Sequence, residues 1–182
     1  MKAPAYLSAE DSALLRKAIR SHSGGSFLEI GTGNGGTMVE ASARHGLVVG
    51  SDISKPDMDD WRQAGSNFVL ADKASCFRAS VFDLVAFNPP YLPVEAAGDP
   101  AVGGGVGLEV PKGFLKDSLR VVKRSGEVVF LLNDEGGLDE FAMLCADEGF
   151  TLRRTASQRV FFEELAVYSA KARASERAAL RR

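Results

Sequence analysis

The chain predicts an α/β fold, a doubly wound sheet of seven strands that is mostly parallel with one antiparallel strand near its edge. Three observations carry that expectation. Short apolar runs alternate with helix-period segments as far as residue 149, the pattern of a parallel sheet covered on both faces. The runs at 27–30, 47–50, 68–70, 84–87 and 128–132 are almost continuously apolar, as strands buried on both sides must be. Two further β-rich segments, 150–156 and 161–169, follow with no helix between them, so they pair antiparallel and put the reversed strand near the edge.

Each helix has a reason in the sequence. The first, over 8–21, takes Ser8 as N-cap with Asp11 three residues on, and lines up Leu14, Leu15, Ala18 and Ile19 on one face. The second, 37–45, follows a glycine loop. A short third, 56–64, has Pro56 in its first turn. The fourth, 110–122, buries Phe114, Leu115, Leu119 and Val122 and is stopped by Gly126, while the fifth, 138–148, ends at Gly149. Residues 1–170 therefore read as one domain with a helical segment over 1–25 packed on it. Residues 95–107, rich in glycine from Gly98 to Gly107, form a mobile loop suited to closing over a substrate.

Composition narrows the function classes. A chain of 182 residues buries roughly 70% of its unfolded surface in one core. The longest apolar run, 128–132, is far short of the roughly 20 residues of a membrane span, and Glu10 and Asp11 interrupt any secretory leader. A cytoplasmic protein with no membrane contact is expected. Cys76 and Cys145 lie 69 positions apart without a CxxC, which leaves neither a zinc clip nor a disulfide framework. Cys145 packs with Phe141 and Leu144 on a helix face, and His22 and His45 fall near helix ends as surface or capping residues. No metal is expected. The last twelve residues, 171–182, carry five basic side chains against Glu176, leaving 17 basic and 23 acidic residues elsewhere. That short tail reads as solvated, frayed helix and the acidic body as a poor nucleic-acid surface.

Chemistry concentrates at strand ends. Glu29-Ile30-Gly31-Thr32-Gly33-Asn34-Gly35-Gly36 joins the first strand to a helix and satisfies two patterns at once. Gly31, Gly33 and Gly36 form the GxGxxG of dinucleotide sites, whereas Glu29, Gly31, Gly33 and Gly35 form the ExGxGxG of nucleoside methyl donors. Asp52 ends the second strand at the distance where a carboxylate reaches ribose hydroxyls. Asp72 ends the third, where it can accept from an adenine amino group. Asn88-Pro89-Pro90-Tyr91 ends the fourth. Asn88 offers a side-chain acceptor, the prolines remove two backbone donors while leaving carbonyls free, and Tyr91 gives a flat face for stacking. This equipment grips a planar NH2 group. In a doubly wound sheet the first and fourth strands flank the crevice, so the two loops are expected to be neighbours.

With Glu29 to Gly35, Asp52, Asp72 and Asn88 to Tyr91 in this order, the chain resembles class I S-adenosylmethionine-dependent amino-methyltransferases, which have a Rossmann-like fold. The Asn-Pro-Pro-Tyr tetrad, Tyr6 to Ser12, Gly104 to Val110 and Glu164-Leu165 are similar to the HemK-like branch that methylates the glutamine of the GGQ motif in class I release factors. The short stretch ahead of the first strand resembles the eukaryotic and archaeal kind. The resemblance implies S-adenosyl-L-methionine as cofactor, held by Glu29, Gly31, Thr32, Gly33, Asn34, Gly35, Asp52, Ile53, Asp72 and Asn88. It implies Asn88, Pro89, Pro90 and Tyr91 as the catalytic set, with Asp11 as a further substrate contact. A class I release factor is the implied substrate. A small zinc-binding activator subunit is the implied partner, covering the apolar strand at Phe68, Val69 and Leu70. The same tetrad serves enzymes that methylate exocyclic amines of adenine or guanine in RNA or DNA. A nicotinamide-dependent oxidoreductase fits GxGxxG alone, and a catalytically silent scaffold is the remaining alternative.

Overall fold

The computed structural model describes residues 5–55, 66–90, 108–133, 137–160 and 163–174. In chain order its elements are α1 (Ala5–Ile19), β1 (Ser26–Ile30), α2 (Gly36–Ser42), β2 (Leu47–Asp52), β3 (Asn67–Leu70) and β4 (Phe82–Phe87). Then come α3 (Glu109–Val121), β5 (Val122–Asn133), α4 (Leu138–Asp147), β6 (Phe150–Val160) and β7 (Glu163–Ala172). The helix expected at 56–64, the glycine-rich loop at 95–107 and Tyr91 lie outside the described residues.

The strands form a single sheet in the order β3-β2-β1-β4-β5-β7-β6. Neighbours are parallel from β3 to β5, β7 runs against β5, and β6 runs against β7. β7 is thus the one reversed strand, second from the edge. The chain steps outward from β1 to β2 and β3, then returns to the other side of β1 with β4, which makes β1 and β4 the switch point.

Alternation along the strands sorts the core into two layers. Phe27 of β1 joins Leu14, Leu15, Ile19, Met38 and Ala41 beneath α1 and α2. Its neighbours Leu28 and Ile30 face the other way, with Leu115, Leu119, Phe141 and Cys145 beneath α3 and α4. In that second layer Phe87 stacks on Phe130 with centroids 4.8 Å apart, and Phe130 extends the stack to Phe141 and Tyr168 at 6.0 Å. Burying each such ring stabilises by about 1.5–3 kcal/mol. Phe87 also packs on the Phe114 ring at 5.7 Å, so the strand that delivers Asn88 is anchored by its last apolar residue.

Four local expectations are corrected. α1 spans Ala5–Ile19, so Ser8 and Asp11 lie inside the helix instead of capping it. Gly126 does not stop a helix. α3 gives way to β5 at Val122, and the register passes from Phe82↔Val122 to Leu84↔Glu127, a bulge in which a Cβ at Gly126 would meet the Asp83 carbonyl at 2.5 Å. β7 continues through Ala172, so Lys171 belongs to the sheet and not to the tail. His45 is buried, its Nδ1 2.7 Å from the Gly24 carbonyl.

Candidate active site

The glycine loop leaves β1 between two parallel neighbours, because Ile30 is level with Ser51 of β2 and with Phe87 of β4. Gly31 donates its N–H to the Ser51 carbonyl at 2.7 Å and turns with φ 74°. A Cβ there would meet the Phe114 ring at 3.1 Å, so glycine is required by backbone conformation and by space together. Thr32 is buried, Gly33 and Asn34 are exposed, and Gly35 is buried. The Gly35 N–H closes the turn on the Thr32 carbonyl at 2.8 Å, and the Gly36 N–H is received by Asn34 Oδ1 at 3.1 Å.

Glu29 lies two residues from Phe27 and therefore on the same face, under α2. It is buried and accepts hydrogen bonds from the Thr37 hydroxyl and the Met38 N–H. Burial outweighs those two neutral donors and the more distant Arg16, and pushes the carboxyl up to about 8. Its Oε2 has no hydrogen-bond partner among the described residues. A buried carboxylate oxygen without a donor is costly, and an ammonium group delivered by a ligand would remove that cost.

The other carboxylates stand at the next strand ends. Asp52 receives the Gly33 N–H at 3.2 Å and the Ser54 N–H at 2.9 Å, tying the end of β2 to the glycine loop. Ile53 beside it is 53% exposed. Asp72, after β3, is exposed and ion-paired with Lys73 at 2.8 Å. On the other side of the loop, Phe87 is level with Ile30, so Asn88 follows β4 directly beside Gly31, about one strand spacing of 4.8 Å away. Asn88 is half-buried, Pro89 buried and Pro90 half-buried. Asp11 belongs to α1, but its side chain lies outside the described residues. The structure thus gathers Glu29, the loop 31–35, Asp52, Asp72 and Asn88 along the carboxyl edge of β3, β2, β1 and β4.

Several residues were not legible as site components. Thr37 and Met38 hold Glu29, a role that the position of Glu29 inside a buried strand signals, since such a group needs donors. Phe114 reads as core on helix periodicity, yet it abuts Gly31 and packs on Phe87 at 5.7 Å. Asp117 and Arg120 of α3 hold the loop after β3 through the Ala74 N–H at 3.0 Å and the Ala74 and Phe77 carbonyls at 2.7 Å; no spacing in the sequence announces that contact.

The donor set suits S-adenosylmethionine. A buried carboxyl oxygen without a partner among the described residues can meet an ammonium, and the carboxylates after β2 and β3 can accept from hydroxyl and amino groups. The fold and this edge define an S-adenosylmethionine-dependent methyltransferase. No family model matches the chain. A Methanocaldococcus jannaschii chain named for protein N5-glutamine methyltransferase activity is 31% identical over 184 residues, covering 91% of this chain and 90% of that one. The Mtq2-Trm112 complex of E. cuniculi, described as methylating the translation termination factor eRF1, matches with a TM-score of 0.73 at 25% identity, covering 90% of this chain and 96% of that one. Magnesium protoporphyrin IX methyltransferase of Synechocystis, solved with bound S-adenosylmethionine, shares the fold at TM-score 0.63 and 17% identity, covering 92% of this chain and 79% of that one. The chain belongs to the HemK-like protein N5-glutamine methyltransferase family.

Proposed function

We propose that this enzyme methylates the side-chain amide nitrogen of a glutamine in a class I release factor, with Asn88, Pro89, Pro90 and Tyr91 gripping the amide. The observation that carries the reading is the level pairing of Ile30 with Phe87. It brings the segment that begins at Asn88 beside the glycine loop, which supports the reading.

An amide nitrogen is a poor nucleophile because its lone pair is delocalised into the carbonyl. Asn88 Oδ1 and the Pro89 carbonyl accept its two N–H bonds and turn the lone pair into the crevice, which is catalysis by orientation. Bound S-adenosylmethionine supplies an electrophilic methyl group. As the amide nitrogen gains positive charge, both acceptors interact with it more strongly than in the ground state, so their effect falls on the transition state. Buried Pro89 has no N–H to compete for these acceptors. Glu29, the loop 31–35, Asp52, Ile53 and Asp72 hold the donor. Asp11 supplies a substrate contact from α1.

A partner subunit fits the outer edge of the sheet. Among the described residues β3 pairs only with β2, and Leu70 is 64% exposed beside Ile53 at 53%. An apolar edge strand of this kind invites pairing or cover, and the E. cuniculi relative was solved as a two-protein complex. A small zinc-binding activator is the proposed occupant. No helix among the described residues is long and apolar enough to cross a membrane.

The test is methyl transfer from labelled S-adenosylmethionine to a purified release factor or to total RNA, with and without the activator, followed by tandem mass spectrometry. Label on the GGQ glutamine is the expected result. Label on an adenine or guanine amino group, with none on protein, would overturn the substrate assignment.

A further inference from the structure

Two departures from ordinary backbone rules meet at one contact beside the crevice. Lys73, the residue after Asp72, has φ 50°, a left-handed conformation that L side chains adopt only when their surroundings hold them there. Gly113 sits inside α3, where glycine weakens a helix relative to alanine. The two face each other. A Cβ at Gly113 would meet Lys73 Cε at 3.0 Å, so the helix carries glycine where the lysine stem crosses it.

The surroundings over-determine that strained turn. The Ala74 N–H is received by Asp117 Oδ2 at 3.0 Å, and the Arg120 guanidinium clamps the Ala74 and Phe77 carbonyls at 2.7 Å each. The turn aims Lys73 inward, leaving its side chain 24% exposed. Its Nζ lies 2.8 Å from Asp72 Oδ1 and 5.9 Å from the centre of the Phe114 ring, within cation–π range. Phe114 in turn abuts Gly31 and packs on Phe87. Lys73 therefore links the carboxylate after β3 to the aromatic wall that reaches the glycine loop and the strand end before Asn88.

We propose that Lys73 is a positioning residue for the purine end of the methyl donor: its ammonium engages Asp72 Oδ1, its stem lies along Gly113 and Phe114, and Asp72 Oδ2 is thereby presented to an exocyclic amino group. This rests on the assignment of Asp72 to the adenine end of the site. An exposed ion pair between adjacent residues contributes little to stability, and a strained lysine subtracts from it. The arrangement makes sense as orientation, in which one acceptor is held still for a donor that only an aminopurine carries. Hydrogen bonds to a charged acceptor discriminate strongly against an analogue that lacks the donor.

Isothermal titration of S-adenosylhomocysteine and of S-inosylhomocysteine, its deaminated analogue, tests this on wild type, Lys73→Gly and Asp72→Asn. Wild type is expected to prefer the adenine compound at least tenfold, the order of one charged hydrogen bond. Lys73→Gly, which relieves the left-handed strain, is expected to keep or raise Tm while losing about tenfold in affinity for S-adenosylhomocysteine and none for the inosine analogue. In the Asp72→Asn background the same change is expected to add nothing, since residues acting through one another are not additive. A folded Lys73→Gly protein with wild-type discrimination would overturn the proposal, and so would an equal loss for both ligands. Wild type that binds S-adenosylhomocysteine without preferring it, and is unaffected by Asp72→Asn, would instead overturn the placement of Asp72 on which the proposal rests.

Discussion

Two glutamates on the same face of the sheet have opposite surroundings. Glu127 of β5 is level with Leu84 and so with Phe27 of β1, two residues nearer the amino edge than Glu29. Although partial burial pushes its carboxyl up, hydrogen bonds from His22, Ser169 and Lys171 outweigh this and pull it down to about 2. Both oxygens are engaged, Oε2 by His22 at 2.9 Å and Lys171 at 2.9 Å and Oε1 by the Ser169 hydroxyl. Glu29 has two neutral donors, one oxygen without a partner among the described residues, and a carboxyl pushed up to about 8 by burial. Glu127 is complete as folded and ties His22, in the turn after α1, and β7 to β5. Glu29 keeps an oxygen without a partner among the described residues, and that contrast with Glu127 is what an acceptor held for a ligand's ammonium predicts.

The largest expected effect lies at the strand that shares the crevice with Glu29. Asn88→Ala should lower the single-turnover methylation rate about a hundredfold or more, the effect of losing one oriented dipole, with a much smaller loss of S-adenosylhomocysteine affinity by calorimetry. A mutant that loses affinity and keeps its rate would move Asn88 from the amide to the cofactor. Glu29→Gln should weaken S-adenosylhomocysteine about tenfold to a hundredfold, as expected for removing a charged hydrogen bond, while the ligand-free protein stays folded.

The same contrast has a pH signature. The carboxyl of Glu29 is raised from 4.5 to about 8, so the folded state binds the extra proton and stability conferred by that site falls as pH climbs from 4.5 toward 8. Thermal melts of the ligand-free protein should show the decline, and Glu29→Gln should flatten it. Binding of an ammonium opposite Glu29 should expel the proton, which titrations at pH 7 in buffers of different ionisation heat would register as proton release. Glu127, lowered from 4.5 to about 2, contributes stability above its unfolded value that is lost as pH falls toward 2. Glu127→Gln should cost about 1–3 kcal/mol and lower Tm by several degrees with donor affinity unaltered. The smallest change is expected at the amino edge, where Lys123 lies 2.8 Å from Asp83 with both side chains more than a third exposed. Lys123→Ala should shift stability by under about 1 kcal/mol, measured by urea unfolding.

Much of this was legible in residue order. Continuous apolar runs gave the buried strands and the missing helix before β7 gave the reversed strand, because both are statements about which faces must be covered. The cleft followed from topology, since a loop after β1 and a segment after β4 can only meet at the switch point. Gly126 misled because a glycine after an apolar helix resembles a stop, while its real constraint is the Asp83 carbonyl on another strand. Ser8 misled for the opposite reason, a local capping pattern being overruled by a helix that starts at Ala5. Phe114, Lys73 and Gly113 were illegible because their meaning lies in a contact between a loop and a helix some forty residues apart in the chain.

The most direct measurement is a crystal structure with S-adenosylhomocysteine. Its ammonium should lie within hydrogen-bonding distance of Glu29 Oε2 and its sulfur should face Asn88. A ligand bound elsewhere, or one that leaves Oε2 unpaired and its sulfur turned away from β4, would contradict the account.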